Sequence, residues 1–493
     1  MRKIVLGFIA LLACIHSFAA DILWTGTSGA SWNVGTNWSS GFVPTDNDVA
    51  VFSPAANLTV SVANANVNVQ GIRITTAFSI TLSGTATAGI NIGSSGINLT
   101  YTTGTGTLAN GGNPVYLGGS IVFVNPITPG SPTPTSPRLN MTGTGKVIVG
   151  TNGLNVDISG GAAGPTLQIH KFELNTGITY TVAGTCNFTV VDSLSLLGTS
   201  KLILPNGSSG STRNFTIGGT GGSGVVTGTG TLSVGATMPT VTPAIVIGVG
   251  TGSDLTLRFS DLPTTSPTNN YFNAINIQRS GVNITIDGTS PGTFFAVNDI
   301  RTSGTPTASG NITINFGSNV TVRLQGQSAI SSVSAATSTN LVFNASTKLI
   351  YARSNTPWTF TNIGSTTPES SITINVPELE FATTGTGKSP SFSSNGNTTL
   401  NGRLTFSTTD QNVATNRRLI IGSGGSIGAL STGSSVSGDV TVQRILPAGR
   451  RRNIFLSSAV TARIDTSWQQ QIHITGTGTA GTICPSLTPH TNG

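Results

Sequence analysis

The sequence predicts an all-β chain wound as an elongated parallel β-helix, and three observations carry that expectation. Only 8% of the 493 residues are charged, against roughly 25% in an ordinary soluble domain, which excludes a helical enzyme built on salt-bridged surfaces. Ser and Thr supply more than a quarter of the chain, and together with 63 Gly they favour strands and turns over helices. Apolar residues nevertheless reach 37% and alternate with polar ones in short runs from end to end, so a core can be buried and the composition of a disordered chain does not apply. Many similar short strands without matched hairpins or a Greek-key return fit a quasi-one-dimensional solenoid. A string of β-sandwich domains is the alternative architecture.

The first element is an address. Arg2 and Lys3 precede the apolar run Ile4 to Ala13, and Ser17-Phe18-Ala19 supplies small residues at a cleavage site, so residues 1–19 are expected to be a signal peptide and the mature chain to be exported. Leu11-Leu12-Ala13-Cys14 also resembles a lipobox, which would make the protein lipid-anchored through Cys14. No later run has the ~20 apolar residues that a membrane helix requires. The formal net charge of +7 falls to +5 without Arg2 and Lys3. Spread over the remaining chain, that charge implies no nucleic-acid partner. After processing, Cys186 and Cys484 remain, widely separated and in no metal-ligand spacing.

Residues 20–52 are expected to cap the rod. Trp24, Trp32 and Trp38 fall within fifteen residues, followed by Pro44, Asp46, Asp48 and Phe52. Large rings of this kind cover the end of a strand stack whose unpaired edge would otherwise recruit another chain, and the same rings are also candidates for a sugar-stacking platform. The series Trp-x-Gly, Asn-Trp and Pro-x-Asp resembles the opening segment of many bacterial exported β-helix proteins.

Residues 53–436 form the expected solenoid body. In Asn311 to Gly326, Ile312, Ile314 and Phe316 alternate with polar residues, Gly317-Ser318-Asn319 turns the chain, and Val320, Val322 and Leu324 alternate again. This is the two-residue period of half-buried strands. Thr-Gly-Thr-Gly recurs at 103–106, 142–145, 227–230, 384–387 and 475–478, where glycine would permit tight corners. With about 20 to 25 residues per coil and about 4.8 Å between strands, the rod would be roughly 80 to 100 Å long. The proline-rich stretches 126–137 and 239–267 are expected to be loops projecting from it.

Residues 437–493 are expected to be a separate C-terminal β segment. Gly438-Asp439-Val440-Thr441-Val442-Gln443-Arg444-Ile445-Leu446-Pro447-Ala448-Gly449-Arg450-Arg451-Arg452, then Phe455-Leu456-Ser457-Ser458-Ala459-Val460, closely resembles a segment of large Bacteroidetes surface and secreted proteins. There it leads toward further modules and a C-terminal sorting domain of the type IX secretion pathway. Residues 485–493 bring no such domain, so the chain is expected to be a fragment of a longer protein. The resemblance implies an exported cell-surface or secreted protein, adhesin-like, whose partners would be surface glycans or neighbouring cell surfaces.

Chemistry is sparse. Sixteen acids are scattered singly apart from two pairs. Glu378 and Glu380 leave the same face of one strand about 6 to 7 Å apart, near the lower limit for an inverting glycosidase, and are the catalytic candidates of the alternative reading, a polysaccharide-binding or polysaccharide-degrading β-helix. Asp46 and Asp48 are metal candidates for Ca²⁺ or, more simply, hydrogen-bond turn amides within the cap. No cofactor is expected, because the glycine-rich blocks lack a following helix and a Walker lysine. The Arg450–Arg452 run and Arg417-Arg418 read as solvated structural positions. The Thr-x-Thr spacing resembles ice-binding solenoids, though five scattered blocks do not supply a repeat on one face. Asp192-Ser193-Leu194 resembles a short O-glycosylation acceptor motif of Bacteroidetes.

Overall fold

The computed structural model describes residues 20–443 apart from 63–65, 85–88, 102–103, 125–137, 160–164, 183–185, 205–212, 234–242, 261–271, 280, 303–310, 326–329, 333–338, 344–346, 353–371, 385–391 and 393–395. The leader, Cys14, Arg450–Arg452, Cys484 and the proline-rich stretch 126–137 therefore lie outside the described residues. Of the stretch 239–267, residues 243–260 are described and are not a projecting loop: Ala244–Ile247 and Asp254–Ser260 are strands paired into the solenoid, their apolar residues buried in its core.

The chain is all-β and wound as a parallel solenoid. One ladder runs unbroken through seventeen strands: Ala20–Leu23, Asp48–Phe52, Val67–Ile74, Ile90–Leu99, Ile121–Val124, Leu154–Ser159, Thr179–Val182, Lys201–Ile203, Thr231–Ser233, Asp254–Ser260, Asn283–Gly288, Ile312–Phe316, Thr339–Phe343, Ile372–Phe381, Gly396–Phe406, Leu419–Ile421 and Thr441–Val442. Every pairing between the described strands is parallel, so they do not form a string of sandwiches. The ladder passes residue 436 and takes in Thr441–Val442, which pairs with Leu419–Ile421. Its sixteen steps of about 4.8 Å span about 75 Å, shorter than the sequence suggests because the coils are longer. Leu167 stacks on Phe188, a step of 21 residues, but Leu108 stacks on Met141, a step of 33. The excess length lies in the connections between strands.

Strands joined by a tight turn stack on different neighbours and not on each other. Ile312–Phe316 stacks between Asn283–Gly288 and Thr339–Phe343, whereas Val320–Leu324 stacks between Thr293–Thr302 and Lys348–Tyr351. The two arms of this strand-turn-strand unit therefore occupy adjacent faces of the coil, with the alternate residues Ile312, Ile314, Phe316, Val320, Val322 and Leu324 all buried inside. Like side chains stack on like across coils. Phe188 lies 5.9 Å from Phe215, and Phe259, Phe272 and Phe295 form a triangle with centroids 5.2 to 5.4 Å apart. This continuous apolar column is the main stabilising feature, since each buried aromatic removes 150–250 Å² from water at about 25 cal/mol per Å².

Corners are made where Cβ atoms are excluded. Gly228, inside one Thr-Gly-Thr-Gly block, has φ +91°, and a Cβ there would sit 2.0 Å from the Leu196 carbonyl oxygen. The blocks are not uniform corners, however: Thr105-Gly106 opens the strand Thr105–Ala109, while Thr142 closes Arg138–Thr142.

Candidate functional site

The cap residues come together as one aromatic cluster. Trp24 and Trp32 meet Trp38 edge to face at 4.9 and 4.8 Å, and Phe52 closes the group at 5.9 Å from Trp32 and Trp38. Trp38 Nε1 donates to the Trp32 carbonyl at 2.8 Å. All four rings and Pro44 are buried, so no indole face is open to stack on a sugar. The same segment covers the end of the free edge of the first strand, because Ser39 N donates to Leu23 O at 2.8 Å and Leu23 N donates to Ser39 Oγ at 3.0 Å. These bonds occupy the outer backbone groups of Leu23, at the end of that strand, as capping of an edge requires. Leu23, Val34 and Phe42 remain at its surface, Phe42 with 77% exposure.

Asp46 and Asp48 are occupied locally. Asp48 Oδ2 accepts from Thr45 N at 2.9 Å and from Thr45 Oγ1 at 2.7 Å, and Asp46 Oδ1 accepts from Asn47 Nδ2 at 3.1 Å. Among the described residues no group of three or more His, Cys, Asp or Glu side chains is gathered to hold a metal.

Glu378 and Glu380 lie on the strand Ile372–Phe381, facing outward on either side of buried Leu379. Register sets Lys348, Glu378 and Arg403 on successive coils. Glu380 forms an ion pair with Lys348 Nζ. Burial alone would raise the Glu380 pKa, but hydrogen bonds from Lys348 and Ser407 and the charges of Lys348 and Arg323 hold it below the usual carboxylate range. A general acid needs the opposite shift. The pair is one ion-paired carboxylate and one exposed carboxylate on an open sheet. Arg417 and Asp439 likewise form an exposed contact, with Arg417 Nε 2.9 Å from Asp439 Oδ2.

Among the described residues, Arg279 anchors an extensive polar network that the sequence does not reveal. The guanidinium of Arg279, 5% exposed, donates to five carbonyls: Nε to Gly248 (2.8 Å), Nη1 to Ser223 (3.0 Å) and Gly252 (2.9 Å), Nη2 to Ile217 (3.1 Å) and Gly224 (2.9 Å). It thereby fixes two glycine-rich corners on preceding coils. One of them presents Ser223, whose N and Oγ donate to Asp192 Oδ1 at 2.9 and 2.7 Å. Lys171 Nζ stands 3.7 Å from Asp192 Oδ2. Burial would raise the Asp192 pKa, yet the Ser223 hydrogen bonds and the Lys171 and His170 charges outweigh it and lower it. A register shift between Ile169 and Lys171 opens this corner, and His170 Nδ1 is buried there without a hydrogen-bond partner. Ser193, of the Asp192-Ser193-Leu194 motif, is half-buried within the strand Asn187–Leu196. Asp192 is held ionised between donors, a poor base for Ser223, so the network reads as bracing.

Cys186 is buried and free, and burial pushes its thiol up to about 12, which leaves it unreactive. Among the described residues no helix is long and apolar enough to cross a membrane. These features define a parallel β-solenoid with an aromatic plug at its first coil. No family model matches the sequence, and no curated protein or solved structure matches it either.

Proposed function

We propose that the protein is an exported, cell-surface or secreted β-helical rod that acts as a spacer or adhesive surface and performs no catalysis of its own. The observation that carries this reading is the use made of its few carboxylates. Asp48 serves a turn, Asp192 braces a corner and Glu380 closes an ion pair, while the seventeen-strand ladder supplies length and a polar outer surface. The leader-like start and the resemblance of residues 438–460 to Bacteroidetes surface proteins support export, with type IX secretion as the route. Surface glycans or neighbouring cells are the partners such a surface would meet.

Two measurements test the proposal on the purified protein. Binding to intact bacterial or host cells is expected to be saturable, and release of reducing ends from plant, algal and microbial polysaccharides is expected to stay at the buffer background. Robust turnover of any of these, lost in Glu378→Gln or Glu380→Gln, would instead establish a carbohydrate-active β-helix.

A further inference from the structure

The coils between residues 312 and 406 sort their polar side chains by face. On one sheet, Val320–Leu324, Lys348–Tyr351 and the second halves of Ile372–Phe381 and Gly396–Phe406 carry Arg323, Lys348, Glu378, Glu380 and Arg403. On the next, Ile312–Phe316, Thr339–Phe343 and the first halves of those same two long strands carry no ionisable residue.

The uncharged sheet instead presents pairs of Asn and Thr in register. Thr313 and Asn315 lie beside Asn283 and Thr285 of the preceding coil. Two coils on, across the strand Thr339–Phe343, Thr373 and Asn375 occupy the same register. Asn397 and Thr399 complete the array. By strand geometry the rows are about 6 to 7 Å apart and the coils about 4.8 Å apart.

Asn283 is already bonded, donating through Nδ2 to Asp254 Oδ1 at 2.9 Å. Thr313, Asn315, Thr373, Asn375 and Thr399 are half-buried, and among the described residues none of them makes a side-chain hydrogen bond. Elsewhere on the rod asparagines satisfy one another, as when Asn91 Nδ2 donates to Asn68 Oδ1 at 2.7 Å. Each Asn amide and each Thr hydroxyl can both donate and accept. The ladder holds them in a fixed lattice, so a ligand would meet little ordering cost from the protein.

We propose that this neutral sheet binds an uncharged polysaccharide chain laid across successive coils. The match is electrostatic as well as chemical: a neutral polyol exchanges hydrogen bonds with an array of amides and hydroxyls and leaves no charge unpaired, while an acidic glycan would favour the adjacent sheet with its arginines and lysine. Single contacts are weak, and affinity accumulates along the chain with the number of coils engaged. The inference rests on the adhesive reading above and names the face and ligand class that would serve it.

The test is retention of the purified protein on insoluble glucan, mannan and xylan, with alginate as the acidic comparator, at low and high salt. Retention on at least one neutral polymer is expected to persist at high salt, where exposed ionic contacts are screened. It should weaken at least tenfold in Thr313→Arg/Thr373→Arg. Thr321→Arg, on the charged sheet of the same coils, should bind like the unmodified protein. Circular dichroism melts verify folding, and Thr373→Arg alone substitutes if the double variant does not fold. Cell binding without retention on any neutral polymer would overturn this inference and leave the adhesive reading standing. Loss of both would end the two together. Retention that is salt-sensitive, confined to alginate or abolished by Thr321→Arg would also overturn it, as would faceting of growing ice crystals by a protein that holds no glycan.

Discussion

Arg279 shows how much one side chain can brace when it is buried without a carboxylate. Its charge is stabilised by carbonyl dipoles from two glycine-rich corners, and burial lowers its pKa. Arg279→Met would leave five carbonyls without that donor, and hydrogen bonds to a charged group contribute about 1.5 to 3 kcal/mol each. The expected outcome is a loss of at least about 3 kcal/mol in urea unfolding, with the coils around Ser223 and Gly252 losing hydrogen-exchange protection first. Asp192 depends on that corner and gives a pH signature. Its pKa is lower in the folded chain than the ordinary value of about 3.9, so its stabilisation is complete above that value and disappears as pH falls through the folded pKa. Asp192→Asn is therefore expected to unfold at lower urea than the unmodified protein at pH 7, and the gap should close below about pH 4. A constant gap across that range would show that the carboxylate charge is not what matters.

Strands and turns were the parts most open to reading from sequence. Alternation in Ile312 to Leu324 identifies the inward residues because a two-residue period maps directly onto the two faces of a sheet. Glu378 and Glu380 are correctly assigned to one face for the same reason. Their partners escape such reading, since Lys348 and Arg323 meet Glu380 only through the register of separate coils. The Arg279 network is hidden more deeply, because its acceptors lie 27 to 62 positions away and are backbone atoms of glycine-rich corners. The register shift at Lys171 leaves only a weak mark, a polar His-Lys pair inside an alternating run. The cap is the intermediate case: three indoles close together in sequence announce an aromatic cluster, while the bond from Ser39 to Leu23 that caps the end of the first strand needs coordinates. Trp38→Ala is expected to cost about 3 to 5 kcal/mol, the usual range for a buried large aromatic. Light scattering should then show concentration-dependent self-association as the first strand is uncovered. Destabilisation without self-association would mean that the indole packs the coil but does not guard its edge.

The complete chain should behave in solution as a rod. The described ladder spans about 75 Å, against about 55 to 60 Å for a compact globule of comparable length, and small-angle scattering is expected to give a skewed distance distribution with a maximum dimension at or above the ladder's span. A symmetric distribution ending near the globular value would contradict the continuous ladder. Charge segregation is likewise a property of many coils acting together, since no single strand is long enough to make a surface.

The spread of coil circumference, from 21 to 35 residues at constant rise, has a further meaning for how such a molecule can change. Extra amino acids accumulate sideways, as hem rather than as height, so insertions alter what the shaft displays without altering how far it reaches. Reach changes only by adding or removing a whole circuit, which makes it a quantity counted in integers.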